Sequence, residues 1–162
     1  MNLYLLRHAD AEPAAGPGGD RERPLTDKGE VQSRRVGKAL EALEVDFQAI
    51  LTSPLLRARQ TAQIVARTLH ATARLRNCEA LAPGVSAQKL FAELKRLGQP
   101  ENVLVVGHEP DMSGLVSLLL AGEPPVEVEM KKAALCCLEL REPVAARCAT
   151  LKWLVPPKLL NL

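Results

Sequence analysis

Short apolar runs alternate along the chain with longer stretches in which apolar residues recur at helical spacing. The runs at 3–6, 49–52 and 103–106 predict buried strands, and a further strand is predicted around 73–78. The run at 103–106 has no polar residue, which is typical of a strand at the centre of a sheet covered on both faces.

Helices are predicted between and after these strands, over 26–44, 54–69, 86–98 and 111–121. Thr26 has the residue type of a helix cap. The stripe expected to be buried in that first helix consists of Val31, Val36, Ala39, Leu40 and Leu43. Ser53 and Pro54 predict the start of the second helix, with serine as the cap and proline in the first turn.

The C-terminal part of the chain is predicted to form strands, at 126–130, 134–140 and 149–155. Because strands and helices alternate as far as residue 121, we expect an α/β fold with a mostly parallel sheet. The C-terminal strands are expected to add an antiparallel edge or hairpin. The length of 162 residues fits one domain, so a single domain over 1–162 is predicted.

Composition and charge exclude several classes of function. The chain has only four aromatic residues and a net charge near +2, which argues against nucleic-acid binding. No run approaches the roughly 18 apolar residues of a membrane span, and the N-terminus does not resemble a targeting peptide. The four cysteines lack metal-ligand spacing and are interpreted as free thiols in the core, which indicates a cytoplasmic protein.

Charged side chains follow the predicted parallel strands. Arg7 and His8 follow the first strand, Glu79 the third and His108 the central one, while Arg57 lies in the helix that follows the second strand. The carboxyl ends of parallel strands meet at one edge of the sheet, where open α/β proteins bind ligands. We therefore expect these side chains to line one crevice.

Two arginines and two histidines suit a phosphoryl group, because guanidinium groups bind phosphate oxygens bidentately. A neutral histidine can attack phosphorus and form a phosphohistidine intermediate. Its reference pKa is about 6.5, and neighbouring arginines lower it. The leaving group also needs a proton from an acid. Glu79 is the first candidate for this acid, with Asp10, Glu12 and Glu109 as alternatives.

Three separated segments resemble the histidine phosphatase superfamily, which includes the phosphoglycerate mutases. The first is Arg7-His8-Ala9, the second combines 23–29 with 53–61, and the third is 106–108. Ala9 stands where the family usually has glycine. The chain also lacks the long insertion that follows the third strand in the mutases, which favours the small branch of the family.

The resemblance implies a three-layer α/β/α fold, His8 as nucleophile, and Arg7, Arg57 and His108 as the phosphate pocket. It also implies that no metal or cofactor takes part. The expected activity is hydrolysis of phosphohistidine in a protein, such as a histidine phosphotransfer domain. A phosphatase of small phosphorylated metabolites and a non-catalytic phosphate-binding adaptor are the alternatives. Arg21 and Arg23 are expected to form a salt bridge in the 8–24 loop or to contact a protein partner.

Overall fold

A sheet of six strands organises residues 1–14 and 16–160, the part of the chain that the computed structural model describes. The strands are β1 (Asn2–Arg7), β2 (Ala49–Thr52), β3 (Leu75–Asn77), β4 (Asn102–Gly107), β5 (Leu135–Leu140) and β6 (Ala149–Val155). The helices are α1 (Asp27–Ala42), α2 (Leu56–Thr68), α3 (Ala87–Arg96) and α4 (Asp111–Leu120).

The sheet has the order β3-β2-β4-β1-β5-β6. The first four of these strands are mutually parallel, whereas β5 runs antiparallel to β1 and β6 antiparallel to β5. The mostly parallel sheet with an antiparallel C-terminal edge is thus confirmed. In the register of the sheet, Arg7 pairs with Gly107, and Thr52 pairs with both Val106 and Asn77. The residues that follow β1, β2, β3 and β4 therefore emerge at the same edge.

Each face of the sheet is covered by two helices. Leu3 and Leu5 of β1 pack in one cluster with residues of α3 and α4. Their neighbours Tyr4 and Leu6 point the other way and pack with α1 and α2. This alternation follows from the two-residue period of a strand. It confirms the three-layer α/β/α architecture, with β4 fully buried at the centre.

Several predicted details are wrong. Helix α2 begins at Leu56 and not at Pro54. Val31 and Leu43 are 40% and 56% exposed rather than buried. Residues 126–130 form no strand. An alternating segment forms a strand only if a neighbouring strand pairs with its backbone. Here the Val126 N–H and the Met130 carbonyl form hydrogen bonds with side chains of other elements instead.

Two sequence-based interpretations concern cysteines and membranes. Cys78, Cys136, Cys137 and Cys148 are all buried and free, which confirms that they are core thiols. Within the described residues, no helix combines the length and apolar character needed to cross a membrane.

Candidate active site

His8 is the first residue beyond β1, and its backbone N–H donates to the Gly107 carbonyl of β4 at 2.9 Å. Its side chain is only 6% exposed. The ring nitrogen Nδ1 lies 2.8 Å from the carbonyl oxygen of Ala9, and Nε2 lies 3.2 Å from Nε of Arg57. A carbonyl can only accept and a guanidinium can only donate. The neutral ring therefore carries its hydrogen on Nδ1 and a lone pair on Nε2.

The electrostatic surroundings keep His8 neutral. Burial is the main cause that lowers its pKa to about 4. The positive charges of Arg57, Arg7 and Arg23 act in the same direction, and the Ala9 hydrogen bond opposes them. Desolvation and nearby cations both disfavour the imidazolium form. At neutral pH His8 is consequently a free base, and its Nε2 lone pair accepts the hydrogen bond from Arg57.

Arg57 lies in the first turn of α2 and is 5% exposed. Besides its bond to His8, its guanidinium donates to the Asp20 carbonyl at 2.8 Å and to the Asp20 carboxylate at 3.1 Å. Thr61, one turn along α2, donates to the Arg57 carbonyl and accepts from the Ala9 N–H. These bonds fix the start of α2 against the end of β1.

His108 follows β4, and its ring centroid is 5.1 Å from that of His8. Its Nε2 lies 2.7 Å from the hydroxyl of Ser53, which also accepts from the Leu55 N–H. Ser53 thus holds a histidine where the sequence predicted a helix cap, and this explains the later start of α2. Burial lowers the pKa of His108 to about 3, so this ring is neutral as well.

Two buried nitrogens of the site have no hydrogen-bond partner among the described residues, Nδ1 of His108 and Nε of Arg7. If the Ser53 hydroxyl donates to His108 Nε2, then Nδ1 carries a hydrogen and is a donor. Nη1 of Arg7 donates to the Met130 carbonyl at 2.9 Å, which fixes the guanidinium. Because an unpaired buried donor is costly, the two nitrogens indicate a place for an acceptor-rich ligand.

Arg7 also lines two surface grooves. The groove of about 670 Å³ on the α4 side, here the acidic groove, contains Glu109, Glu123, Glu127 and Glu129. The groove of about 640 Å³ on the α1 side, here the basic groove, contains Lys28, Arg35, Lys131, Lys132 and Lys158, with Asp10 as its one acidic lining residue. Arg7 thus reaches the surface on two sides, whereas His8, Arg57 and His108 are buried and line neither groove.

Asp20 is a site residue that sequence reasoning missed. Its carboxylate bridges Arg57 and Arg23, whose Nη1 lies 2.9 Å from Oδ1. The hydrogen bond from Arg23 is the main cause that lowers the pKa of Asp20. The salt bridge expected in this loop is thus present at Arg23, with Asp20 as its partner. The available signal was an acidic residue three positions before Arg23, at the spacing of a helical turn.

The candidate acids are dispersed. Glu79 follows β3, the outermost parallel strand, roughly 14 Å from β1 at the usual strand spacing. It is exposed and forms no side-chain hydrogen bond with the described residues. Asp10 is bound by Lys132 and Thr26, which lower its pKa. Glu109 accepts from the Ser113 N–H, and Glu12 is exposed.

Two small residues shape the backbone of the site. Ala9 has no positive φ, so its backbone does not require the glycine usual in the family. Gly29 is different, because an added Cβ would collide with the Asp10 carbonyl. The glycine after the Thr26 cap therefore allows α1 to approach the segment that follows His8.

A neutral histidine with an unprotonated Nε2 lies beside the buried Arg57 guanidinium at the carboxyl edge of a three-layer α/β/α sheet. This is the arrangement that phosphoryl transfer to a histidine nucleophile requires. Residues 3–82 match the histidine phosphatase superfamily (branch 1). The phosphohistidine phosphatase SixA of Escherichia coli is 33% identical over 127 residues, which cover 77% of this chain and 78% of SixA. The chain belongs to the histidine phosphatase superfamily.

Two further comparisons agree with this assignment. An uncharacterized protein of Picosynechococcus sp. is 39% identical over 137 residues, covering 83% of this chain and 82% of that protein. A structure of the protein histidine phosphatase SixA complexed with tungstate superposes with a TM-score of 0.88 at 30% identity, covering 99% of this chain and 100% of the other. The protein is accordingly a histidine-phosphatase-type hydrolase that acts on a phosphorylated substrate.

Proposed function

We propose that this phosphatase removes the phosphoryl group from phosphohistidine in a protein and that it forms a phospho-His8 intermediate. The observation that carries the proposal is the His8 ring, whose Nδ1 donates to the Ala9 carbonyl while Nε2 holds its lone pair inside the site. An imidazole in this state is ready to attack phosphorus without prior loss of a proton.

Arg7, Arg57 and His108 form the proposed phosphate pocket. In this proposal the phosphoryl oxygens accept hydrogen bonds from Nε of Arg7 and Nδ1 of His108, two of the three buried side-chain nitrogens without a partner among the described residues. They displace the Asp20 carboxylate from Arg57. Tungstate, the oxyanion in the related SixA structure, is tetrahedral like the phosphate that these donors would bind.

The reaction has two balanced steps. Nε2 of His8 attacks phosphorus as the bond from phosphorus to the substrate imidazole breaks, and the departing nitrogen takes a proton. The Ala9 carbonyl accepts from Nδ1–H and stabilises the positive charge that the phosphorylated ring gains. Water then attacks phosphorus, the bond to Nε2 breaks, and inorganic phosphate leaves with His8 again neutral.

Glu79 is proposed as the acid that protonates the leaving group. Glu79 follows β3 at the carboxyl edge of the parallel strands, the same edge at which His8 follows β1. The proposed chemistry uses no metal ion. Within the described residues, no group of three or more histidine, cysteine, aspartate or glutamate side chains is arranged to hold one.

The open surroundings of Arg7 favour a protein over a small metabolite as the substrate. Both grooves that Arg7 lines are open to solvent rather than enclosed, so they surround little of a small phosphorylated molecule beyond its phosphate. A protein can dock on the rim and use that binding energy to hold its phosphoryl group in line with His8. The name of the E. coli relative, phosphohistidine phosphatase, supports the same substrate class.

The test is a steady-state comparison of substrates. We expect kcat/KM on a phosphohistidine-bearing protein domain to exceed that on sugar phosphates or phosphoglycerate by at least about 100-fold, or roughly 2.7 kcal/mol of transition-state binding. Labelled substrate should leave an acid-labile, alkali-stable label on His8. A small metabolite that equals the protein substrate would indicate a metabolite phosphatase, and binding without turnover would indicate an adaptor.

A further inference from the structure

One face of α1 forms a wall of the basic groove. Lys28, Val31, Gln32 and Arg35 all line the groove, and their spacing along the helix places them on one side. Lys28 and Arg35 are exposed and form no hydrogen bond or ion pair with any residue that the structure describes. Two positive charges about 10 Å apart along the helix axis thus face solvent in the groove.

Val31 lies between these two cations. Sequence periodicity predicts it as a core residue, yet it is 40% exposed and lines the groove. Pro156 and Pro157 of the C-terminal segment line the same groove. The groove therefore combines an apolar centre with flanking positive charge, and a polypeptide surface can satisfy both of these features at once.

Further cations come from the segment after Met130. Lys132 is bound by Asp10 at 2.7 Å, so its charge is partly compensated. Lys131 pairs only loosely with Glu129, at 3.8 Å. Because Arg7 both lines the basic groove and belongs to the proposed phosphate pocket, the positive surface of the groove adjoins that pocket.

The acidic groove on the other side of Arg7 has the opposite charge. Glu123 and Glu127 are exposed there and form no ion pair with the described residues. A negatively charged surface next to a bound phosphoryl group is thus attracted toward α1 and repelled from the α4 side. The charge difference defines one orientation for a docked partner.

We propose that the basic groove binds an acidic surface of the phosphorylated protein, adjacent to its phosphorylated residue; this inference rests on the proposed function and names the surface that selects the partner. The positive charges are spread over two turns of α1 and two other segments of the chain. A small anion meets few of them at once, whereas an acidic protein surface meets the whole set.

The test reverses the charge of the α1 wall. The variant Lys28→Glu/Arg35→Glu changes two exposed residues outside the phosphate pocket. Its matched control is Arg34→Glu/Lys38→Glu, which makes the same change in charge at exposed positions of α1 that do not line the groove. The substrates are a phosphohistidine-bearing domain with acidic residues around the histidine, and the same domain with those residues changed to asparagine and glutamine.

We expect wild type to prefer the acidic substrate by at least about tenfold in kcat/KM at low salt, and 0.5 M NaCl to reduce the preference. The groove variant should lose the preference, mainly through KM, while the control variant keeps it within about twofold. All three proteins should hydrolyse p-nitrophenyl phosphate equally. A preference that survives in the groove variant, or disappears equally in the control, would overturn the proposal.

A second measurement separates the groove from the chemistry. If wild type hydrolyses p-nitrophenyl phosphate but neither phosphoprotein, the proposed function has failed. The groove is then judged by NMR titration with the unphosphorylated acidic domain. Shift changes along α1 that are lost only in the groove variant support the docking surface, and binding that is absent or unchanged in that variant refutes it.

Discussion

The floor of the proposed phosphate pocket and the basic groove share Arg7 as a neighbour but differ in how their charges are held. His8, Arg57 and His108 form the floor; each is at most 6% exposed and each has a defined hydrogen-bond partner. Lys28 and Arg35 in the groove are exposed and have no ion-pair partner within the described part of the chain.

Because of this difference, we expect the buried residues to act on the reaction and the exposed residues to act on the choice of partner. In a buried site with low dielectric, fixed dipoles and charges act strongly on the reacting atoms and need no reorganisation. Exposed charges are screened by water and salt, so each contributes little, and they act together on the approach of a partner. Substitutions in the pocket floor should therefore change activity much more than substitutions in the basic groove.

The largest effect is expected from His8→Ala. Without the Nε2 lone pair no covalent intermediate can form, so kcat should fall by at least about 10³-fold on every substrate. The fold should remain, because His8 lies beyond β1 and not in its apolar pattern. Stopped assays give the rate, and circular dichroism and thermal unfolding check the fold.

His70→Asn is the matched control, because His70 is exposed and its positive φ is tolerated by asparagine. It should retain wild-type activity. A His8→Ala protein that is folded and keeps more than a few per cent of wild-type turnover would contradict the nucleophile assignment.

The second prediction concerns the neutral state of His8. An NMR titration of the imidazole signals, assigned with His8→Gln, should show a midpoint near pH 4, the value to which burial and neighbouring arginines lower its pKa. The nitrogen shifts should identify the Nδ1–H form. A midpoint near the reference value of about 6.5 would show that the site does not hold the free base.

The same shift affects stability. His8 stays neutral in the folded protein but protonates near pH 6.5 when unfolded, so between these values the unfolded state binds more protons. The free energy of unfolding should then decrease as the pH falls from about 6.5 to 4. His108, with its pKa lowered to about 3, adds to this loss in the same direction. Circular dichroism at each pH marks the range in which the titration reports folded protein.

The pocket floor was predictable because each of its residues follows a buried strand or helix start with a short local motif. Arg7, His8, Arg57 and His108 could be assigned to one crevice from strand order alone, since parallel strands end at one edge. The details depended on tertiary contacts. Ser53 matched a helix cap locally, but its hydroxyl bonds to His108, which lies 55 residues further along the chain.

The basic groove could not be predicted in this way. Its charges come from α1, from residues 131–132 and from residues 156–158, which are far apart in sequence. Val31 fits the apolar period of α1, yet the described residues leave it 40% exposed. Periodicity identifies the side of a helix that is apolar, but burial also depends on what packs against it.

The third prediction tests Glu79, the proposed acid. If it protonates the leaving group, Glu79→Gln should lower kcat on an alkyl phosphate ester such as phosphoserine by at least about tenfold. On phosphohistidine the loss should stay below about threefold, because imidazole leaves more readily than an alkoxide. The control is Glu93→Gln, since Glu93 is a half-buried carboxylate that pairs with Arg96 and lines the same surface groove as Glu79. Equal rates for both variants on the ester would exclude Glu79 as the acid.

The smallest effect is expected at Asp20, an exposed residue of the 8–24 loop that contacts the buried Arg57. Its side chain is 55% exposed, yet its carboxylate binds the buried Arg57 guanidinium that is proposed to bind phosphate. A phosphoryl group must displace this carboxylate, because both compete for the same donors. Asp20→Asn removes the charge and should tighten binding of inorganic phosphate by about two- to fivefold, the range expected for an exposed ion pair.

Calorimetric titration of phosphate into both proteins measures the change at Asp20. Asp46→Asn serves as its control, since it removes an exposed carboxylate that pairs with Arg74 and does not contact the site. Tighter phosphate binding only in Asp20→Asn would show that the loop carboxylate occupies the phosphate position in the free protein. Weaker binding would show the reverse, that Asp20 holds Arg57 in the geometry that phosphate needs. Asp20 would then count with the buried residues of the pocket floor rather than with the exposed charges around it.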